Sequence, residues 1–260
     1  MNKILKSVVV AGAGLLMVSG VAFAATVAVT QQNSQGWSTA DTRPGGDVNF
    51  VADATSPDGG NGALQLTTDS TTTAKAQYLH DANTPITDVT ELNYYTKQVA
   101  ASFVGGDASY QLAIDTNGAT AGGFTTLVYE PYQNGVVTPG VWQSWDVDQG
   151  QFWSSRSITC SNGALVAGGG GAPFYTLQQV QTMCPEAVAV AFGVNIGSNN
   201  PSYDVYSDLV NFNGTVYDFV YTNVPTSKDA CKKNGYQNFT DGDGNAFKNQ
   251  GECVSYTNHN

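Results

Sequence analysis

Between residues 48 and 221 the apolar positions recur mostly at every second residue, the period of half-buried antiparallel strands. In "SYQLAID" Tyr110, Leu112 and Ile114 share one face, with Ser109, Gln111 and Asp115 opposite. "AVAVAFGVN" sends Val188, Val190, Phe192 and Val194 inward and leaves alanine and glycine on the reverse side. "VYSDLVNF" and "TVYDFVY" flank Asn213-Gly214, a pair whose ease with positive φ suits a two-residue hairpin. "SPDGGNG" ahead of "ALQLTT" is turn chemistry of the same kind. Roughly ten such strands predict an all-β fold, an antiparallel β-sandwich of jelly-roll type.

One helix interrupts the pattern. "FYTLQQVQTMCPEA" offers Thr176 and Gln179 as a capping box, Leu177, Val180 and Met183 as an apolar stripe, and Pro185 as a stop. The nearby "AGGGGAP" lacks the Gly-Lys-Ser/Thr of a phosphate loop and reads as a flexible link. After Tyr221 the strand pattern ends, and "NVPTSKD" opens a linker to a small C-terminal module. The expected division is a signal peptide over 1–24, a sandwich over 25–222, and a disulfide-closed hairpin module over 223–260.

The leader rests on Lys3 and Lys6, a short glycine-broken apolar run, and small residues Ala22 and Ala24 before the cleavage point. No other stretch is apolar for long enough to cross a membrane as a helix. The chain is therefore expected to be secreted, without membrane insertion. Without the leader, 8 basic side chains face 21 acidic ones, a net charge of −13. The tail carries four Lys against Asp229, Asp241, Asp243 and Glu252, so the whole excess falls on the sandwich. Such a surface disfavours nucleic acid and anionic lipid. The four cysteines, Cys160, Cys184, Cys231 and Cys253, are expected as disulfides in an exported chain. Three pairings are open, and the neighbours in sequence, Cys160–Cys184 and Cys231–Cys253, are favoured.

"GNGALQLTT", "LNYYTK", "WQSWDVD" and "YSDLVNF" resemble the strand signatures of galactose-binding-like jelly rolls, a group that includes many carbohydrate-binding modules. "SKDACKKNGYQNF" with "FKNQGECVSY" is similar to a C-terminal stretch of secreted bacterial proteins. The first resemblance implies a glycan or another cell-surface polymer as partner. It also implies a structural calcium between the first and last strands, for which Asp47, Asp53 and Asp208 are the candidate ligands.

Three of the four tryptophans fall within 142–153. On a single strand over 141–148, Val141, Gln143, Trp145 and Val147 share the core face, and Trp142, Asp146 and Asp148 share the other. Trp142 and Trp153, extended by Tyr129 and Tyr132, are the candidate stacking platform for sugar rings, with Asp146 and Asp148 bonding hydroxyls. "DGDGNAFKNQGE" nearly matches an EF-hand loop through Asp241, Asp243, Asn245 and Glu252. Ala246 at the position that needs glycine argues for a polar turn instead. Glu130 with Asp146 or Asp148 is the candidate acid and base for glycoside hydrolysis. His80 alternates with Ala76 and Tyr78 and reads as a satisfied, partly buried histidine. The leading expectation is a non-catalytic binding module. A structural or adhesive surface protein, and a glycan hydrolase or lyase, are the alternatives.

Overall fold

The computed structural model describes residues 25–116 and 122–259; the expected leader, 1–24, lies outside them. The chain opens with β1 (Ala25–Val29), β2 (Trp37–Ser38), β3 (Gly46–Val51), β4 (Ala63–Thr68) and β5 (Ala76–Pro85). Its middle holds β6 (Leu92–Ala100), β7 (Ser109–Asp115), β8 (Phe124–Tyr129), α1 (Pro131–Asn134), β9 (Gln143–Asp146) and β10 (Gln151–Ser154). A minor pair, β11 (Ile158–Thr159) and β12 (Leu165–Val166), leads to β13 (Phe174–Thr176) and α2 (Leu177–Met183). The long strands β14 (Val188–Ile196) and β15 (Asp204–Phe212) and then β16 (Thr215–Phe219) complete the sandwich, and α3 (Gln250–Tyr256) ends the tail.

Two seven-stranded sheets enclose one apolar core, as the alternation predicts. The first carries β3, β4, β15, β6 and β9, with β16 and β1 on the other half of β15. The second runs β13-β10-β8-β7-β14-β5-β2. Every described pairing is antiparallel except β1 with β16. Tyr110, Leu112 and Ile114 are fully buried, and so are Leu92 and Tyr94 of β6. The fourth tryptophan, Trp37, centres an aromatic cluster with Tyr78, Phe192, Tyr217 and Phe219, at ring separations of 5.0–5.6 Å.

Register shifts in two strands, β14 and β15, alter the simple alternation. In β14 the register shifts between Ala189 and Ala191 against both neighbours. One added residue flips the facing of a strand. Phe192 and Val194 point inward as expected, but Ala189 replaces Val188 and Val190 in the core, and both valines are half-exposed. In β15 the bulge lies at Asp208–Leu209, where Leu209 has φ +47°. Asp204–Ser207 pairs with β4, and Val210–Phe212 pairs with β16. Val141, expected in the core, is 51% exposed because the strand starts only at Gln143, while Trp145 and Val147 are buried.

Local signals are met where they are self-contained. Asn213 and Gly214 take φ of 52° and 80° in the β15–β16 hairpin. At α2, Gln179 N donates to Thr176 Oγ1 (3.2 Å) and Thr176 N to Gln179 Oε1 (2.8 Å), the two halves of the capping box. Both favoured disulfides, Cys160–Cys184 and Cys231–Cys253, are formed. The tail gathers Phe247, Tyr236 and Phe239 around Cys231–Cys253. Where a hairpin was expected, only one bridge forms, Thr240 with Ala246, and the second half is helical because Asn249 caps α3 by accepting from Glu252 N (2.9 Å). Among the described residues no helix is long and apolar enough to cross a membrane.

Candidate functional site

The outer face of the second sheet carries the site. Its residues alternate with the core set, so β7 presents Ser109, Gln111 and Ala113, and β14 presents Ala191, Gly193 and Asn195. These are small or amide side chains that leave a low floor. Gly193 is required there: it sits at φ +152°, and a Cβ would meet Tyr78 O at 2.2 Å. At one end of this floor lies a cleft of about 500 Å³, walled by Phe103, Tyr132 and Trp153 and bottomed by Ser109, Glu130 and Asn195. Phe103 and Tyr132 meet edge to face at 5.5 Å and are 53% and 45% exposed, so their rings are open to a ligand. Trp153 is half-buried and lies against Glu130, where its side chain favours the ionised carboxylate.

Two carboxyls line this cleft. Burial lifts Glu130 to about 7, opposed by the Trp153 hydrogen bond and aided by the charge of Asp107. Burial lifts Asp107 likewise to about 7, although Thr96 Oγ1 (2.6 Å) and Ala108 N (2.8 Å) donate to its two oxygens.

The candidate platform is thus divided. Tyr132 and Trp153 stand together in the cleft, joined by Phe103. Tyr129 is 3% exposed and faces the core, where its ring meets Tyr94 and Phe152, because β8 turns it opposite to Val128 and Glu130. Trp142 lies at the edge of the other sheet, with Lys97 Nζ 5.3 Å over its ring and its indole N–H on Asp53 Oδ2 (3.3 Å). Asp146 is exposed on β9 of that sheet, and Asp148 caps the start of β6 by accepting from Leu92 N (3.1 Å). Neither lines the cleft with Glu130; the second acid there is Asp107. His80 is satisfied, its ring nitrogens against Asp81 O (2.6 Å) and Gln35 O (3.0 Å). In the tail, Asp241 Oδ1 accepts from Asp243 N and Asn245 N, and Glu252 Oε2 from Lys248 N. These carboxylates serve their own turns.

A second constellation forms at the β15 bulge. Asp58, Asp208 and Asp218 bring carboxylate oxygens within 4.8 Å of one another. Each keeps one buried oxygen without a partner: Asp58 Oδ2, Asp208 Oδ2 and Asp218 Oδ1. Burial raises Asp208 to about 8 and Asp218 to about 6, with mutual repulsion adding to both. Three converging hard oxygens with unmet capacity fit a calcium ion. Of the three expected ligands only Asp208 takes part. Asp47 is exposed on β3, and Asp53 is ion-paired with Lys97. Asp58 and Asp218 are the other two members of the cluster.

No protein-family model and no curated protein sequence matches the chain. Among solved structures it is similar to a family 11 carbohydrate-binding module from Clostridium thermocellum, solved with a β-1,3-1,4-mixed-linked tetrasaccharide. The identity is 12%, the TM-score 0.40, and the match covers 70% of this chain and 91% of that one. The family 11 module of the cellulase Lic26A-Cel5E from the same organism matches at 10% identity, TM-score 0.38, over 68% and 86%. A β-1,2-glucanase from Parabacteroides distasonis matches at 11%, TM-score 0.35, over 68% of this chain and 23% of that one. Likeness of this extent carries no information on the ligand.

Proposed function

We propose that the chain is a secreted, non-catalytic module that binds glycan on the outer face of its second sheet. The observation that carries this reading is the cleft in which Phe103, Tyr132 and Trp153 surround a floor of Ser109, Asn195 and Glu130. Aromatic faces stack on the C–H side of a sugar ring while carboxylate, amide and hydroxyl groups bond its hydroxyls. Binding is favoured over hydrolysis because both Asp107 oxygens already accept protein donors, leaving Glu130 without a second free carboxylate. Asp58, Asp208 and Asp218 hold a structural calcium in this reading, which would fix the β15 bulge to the 53–62 turn and neutralise their charge.

The test is co-sedimentation of residues 25–260 with insoluble polysaccharides and isolated cell walls, beside a folded Tyr132→Ala, Trp153→Ala variant. Retention that this variant loses supports the reading. Equal retention of both proteins, or none across the panel, refutes it and favours a structural protein with protein partners.

A further inference from the structure

Residues 25–222 contain 17 acidic side chains and only four basic ones, Arg43, Lys75, Lys97 and Arg156. Lys97 is neutralised by Asp53. The other three line one cleft of about 680 Å³ on the same outer face as the aromatic site. Among the described residues none of the three forms an ion pair. Asp41 and Asp81 also line this cleft, so it holds three cations and two anions. The rest of the sandwich holds fifteen anions and one cation.

The cations are placed by the fold. Arg43 and Lys75 are joined by a backbone bridge, Arg43 N donating to Lys75 O (2.9 Å), which brings them to one corner beside β5. Burial and the like charge of Arg43 both act against the charged form of Lys75, and Asp41 only partly offsets them. Across the floor, Arg156 lies 5.4 Å over the Phe124 ring, leaving the planar edge of its guanidinium for a ligand. That edge matches a carboxylate or sulfate through paired N–H donors.

This cleft adjoins the aromatic one on the same face. Asn195 of the first donates to Gln77 of the second (Nδ2 to Oε1, 3.1 Å), and Gln111 of the second donates to Ser109 of the first (Nε2 to Oγ, 3.2 Å). From β10 to β5 is four strand spacings, roughly 19 Å, long enough for several sugar rings. We infer that the polymer is an acidic polysaccharide. One ring stacks in the Phe103–Tyr132–Trp153 cleft, and a carboxylate or sulfate of a neighbouring ring sits among Arg43, Lys75 and Arg156. This rests on the glycan-binding reading and names its ligand class. The acidic surface offers polyanions no general attraction, and salt at physiological strength screens it beyond about 8 Å, so any preference reports these local cations.

The experiment is affinity electrophoresis at pH 6 in gels containing polygalacturonate, dextran sulfate or neutral mixed-linkage β-glucan. The proteins are the wild type, Arg156→Gln alone, the Arg43→Gln, Lys75→Gln, Arg156→Gln triple variant, and Trp153→Ala. The single variant alters one exposed side chain and guards against misfolding of the triple. The expected result is at least tenfold tighter binding of one anionic polymer than of the glucan. That preference shrinks in the single variant and vanishes in the triple, which keeps its hold on the neutral chain, while Trp153→Ala weakens both. The anionic polymer retained tells carboxylate from sulfate. Binding of the glucan alone, or a preference unchanged in the triple variant, overturns the inference and leaves the glycan site standing. No retention by any polymer overturns both.

Discussion

Trp142 and Trp153 stand on opposite sheets of the sandwich. Trp142 is held at the edge of the first sheet between Lys97 and Asp53, and Trp153 lies in the aromatic cleft of the second beside Glu130. The two residues should therefore respond differently to mutation. Trp153→Ala is expected to weaken polysaccharide binding by at least about tenfold, the loss of one stacked ring. Trp142→Ala should leave binding intact and lower the melting temperature by roughly 4–8 °C, about 2 kcal/mol, because it strips the cover from the Lys97–Asp53 pair. Calorimetry and affinity electrophoresis on both variants check this, and a binding loss in Trp142→Ala would contradict the assignment.

Glu130 gives the cleft a pH signature. Burial raises its carboxyl to about 7, and the unfolded group titrates near the ordinary value of 4.5. Below about 4.5 both states are protonated. Between there and 7 the folded protein keeps a proton that the unfolded chain has lost, so this group's contribution to stability falls as pH rises. The Trp153 side chain favours the ionised form. Trp153 fluorescence should therefore change with a midpoint near 7, and Glu130→Gln should abolish that change. A flat titration in the wild type would show that the pair is not coupled.

Much of the architecture was legible from local pattern, because alternation, a capping box and an Asn-Gly turn each act within a few residues. The facing of Val188 and Val190 was not, since a bulge adds one residue without marking the sequence. The cleft was half legible. Tyr132 and Trp153 follow from aromatic clustering, whereas Phe103 sits in the aperiodic "SFVGG" loop and only the fold brings it to Tyr132. Tyr129 was expected beside Tyr132 in the platform, yet it ends β8 on the core face, whereas Tyr132 follows on α1 and is exposed. The cationic cleft and the Asp58–Asp208–Asp218 cluster unite residues more than a hundred positions apart, a distance at which spacing carries no signal.

The tail offers a separable prediction. Its small core is built on Cys231–Cys253, and it is joined to the body by bonds such as Thr30 Oγ1 to Gly242 O (2.6 Å). Replacing both cysteines by serine removes a cross-link worth about 3 kcal/mol to the segment it closes. Limited proteolysis should then cleave within 226–250 at protease levels that leave the wild type whole, while the main thermal transition stays in place. A large fall in that transition would mean that the tail is integral to the sandwich.

The last prediction follows from the carboxylates at the β15 bulge. With Asp208 raised to about 8, the folded state holds a proton that the unfolded chain releases near the ordinary value of 3.8. Between those limits the unfolded state binds fewer protons, so without a cation this group's contribution to stability declines as pH rises from about 4 to 8. A divalent ion binds the deprotonated form and displaces those protons, so its stabilising effect must grow over the same range. In chelator the melting temperature should fall between pH 5 and pH 8. Millimolar calcium should do little at pH 5 and raise it clearly at pH 8. Asp208→Asn keeps the size of the side chain but removes the charge, so its melting temperature in chelator at pH 8 should exceed that of the wild type and no longer respond to calcium. Identical wild-type melting curves with and without calcium at pH 8 would mean that the three carboxylates are held by protons alone.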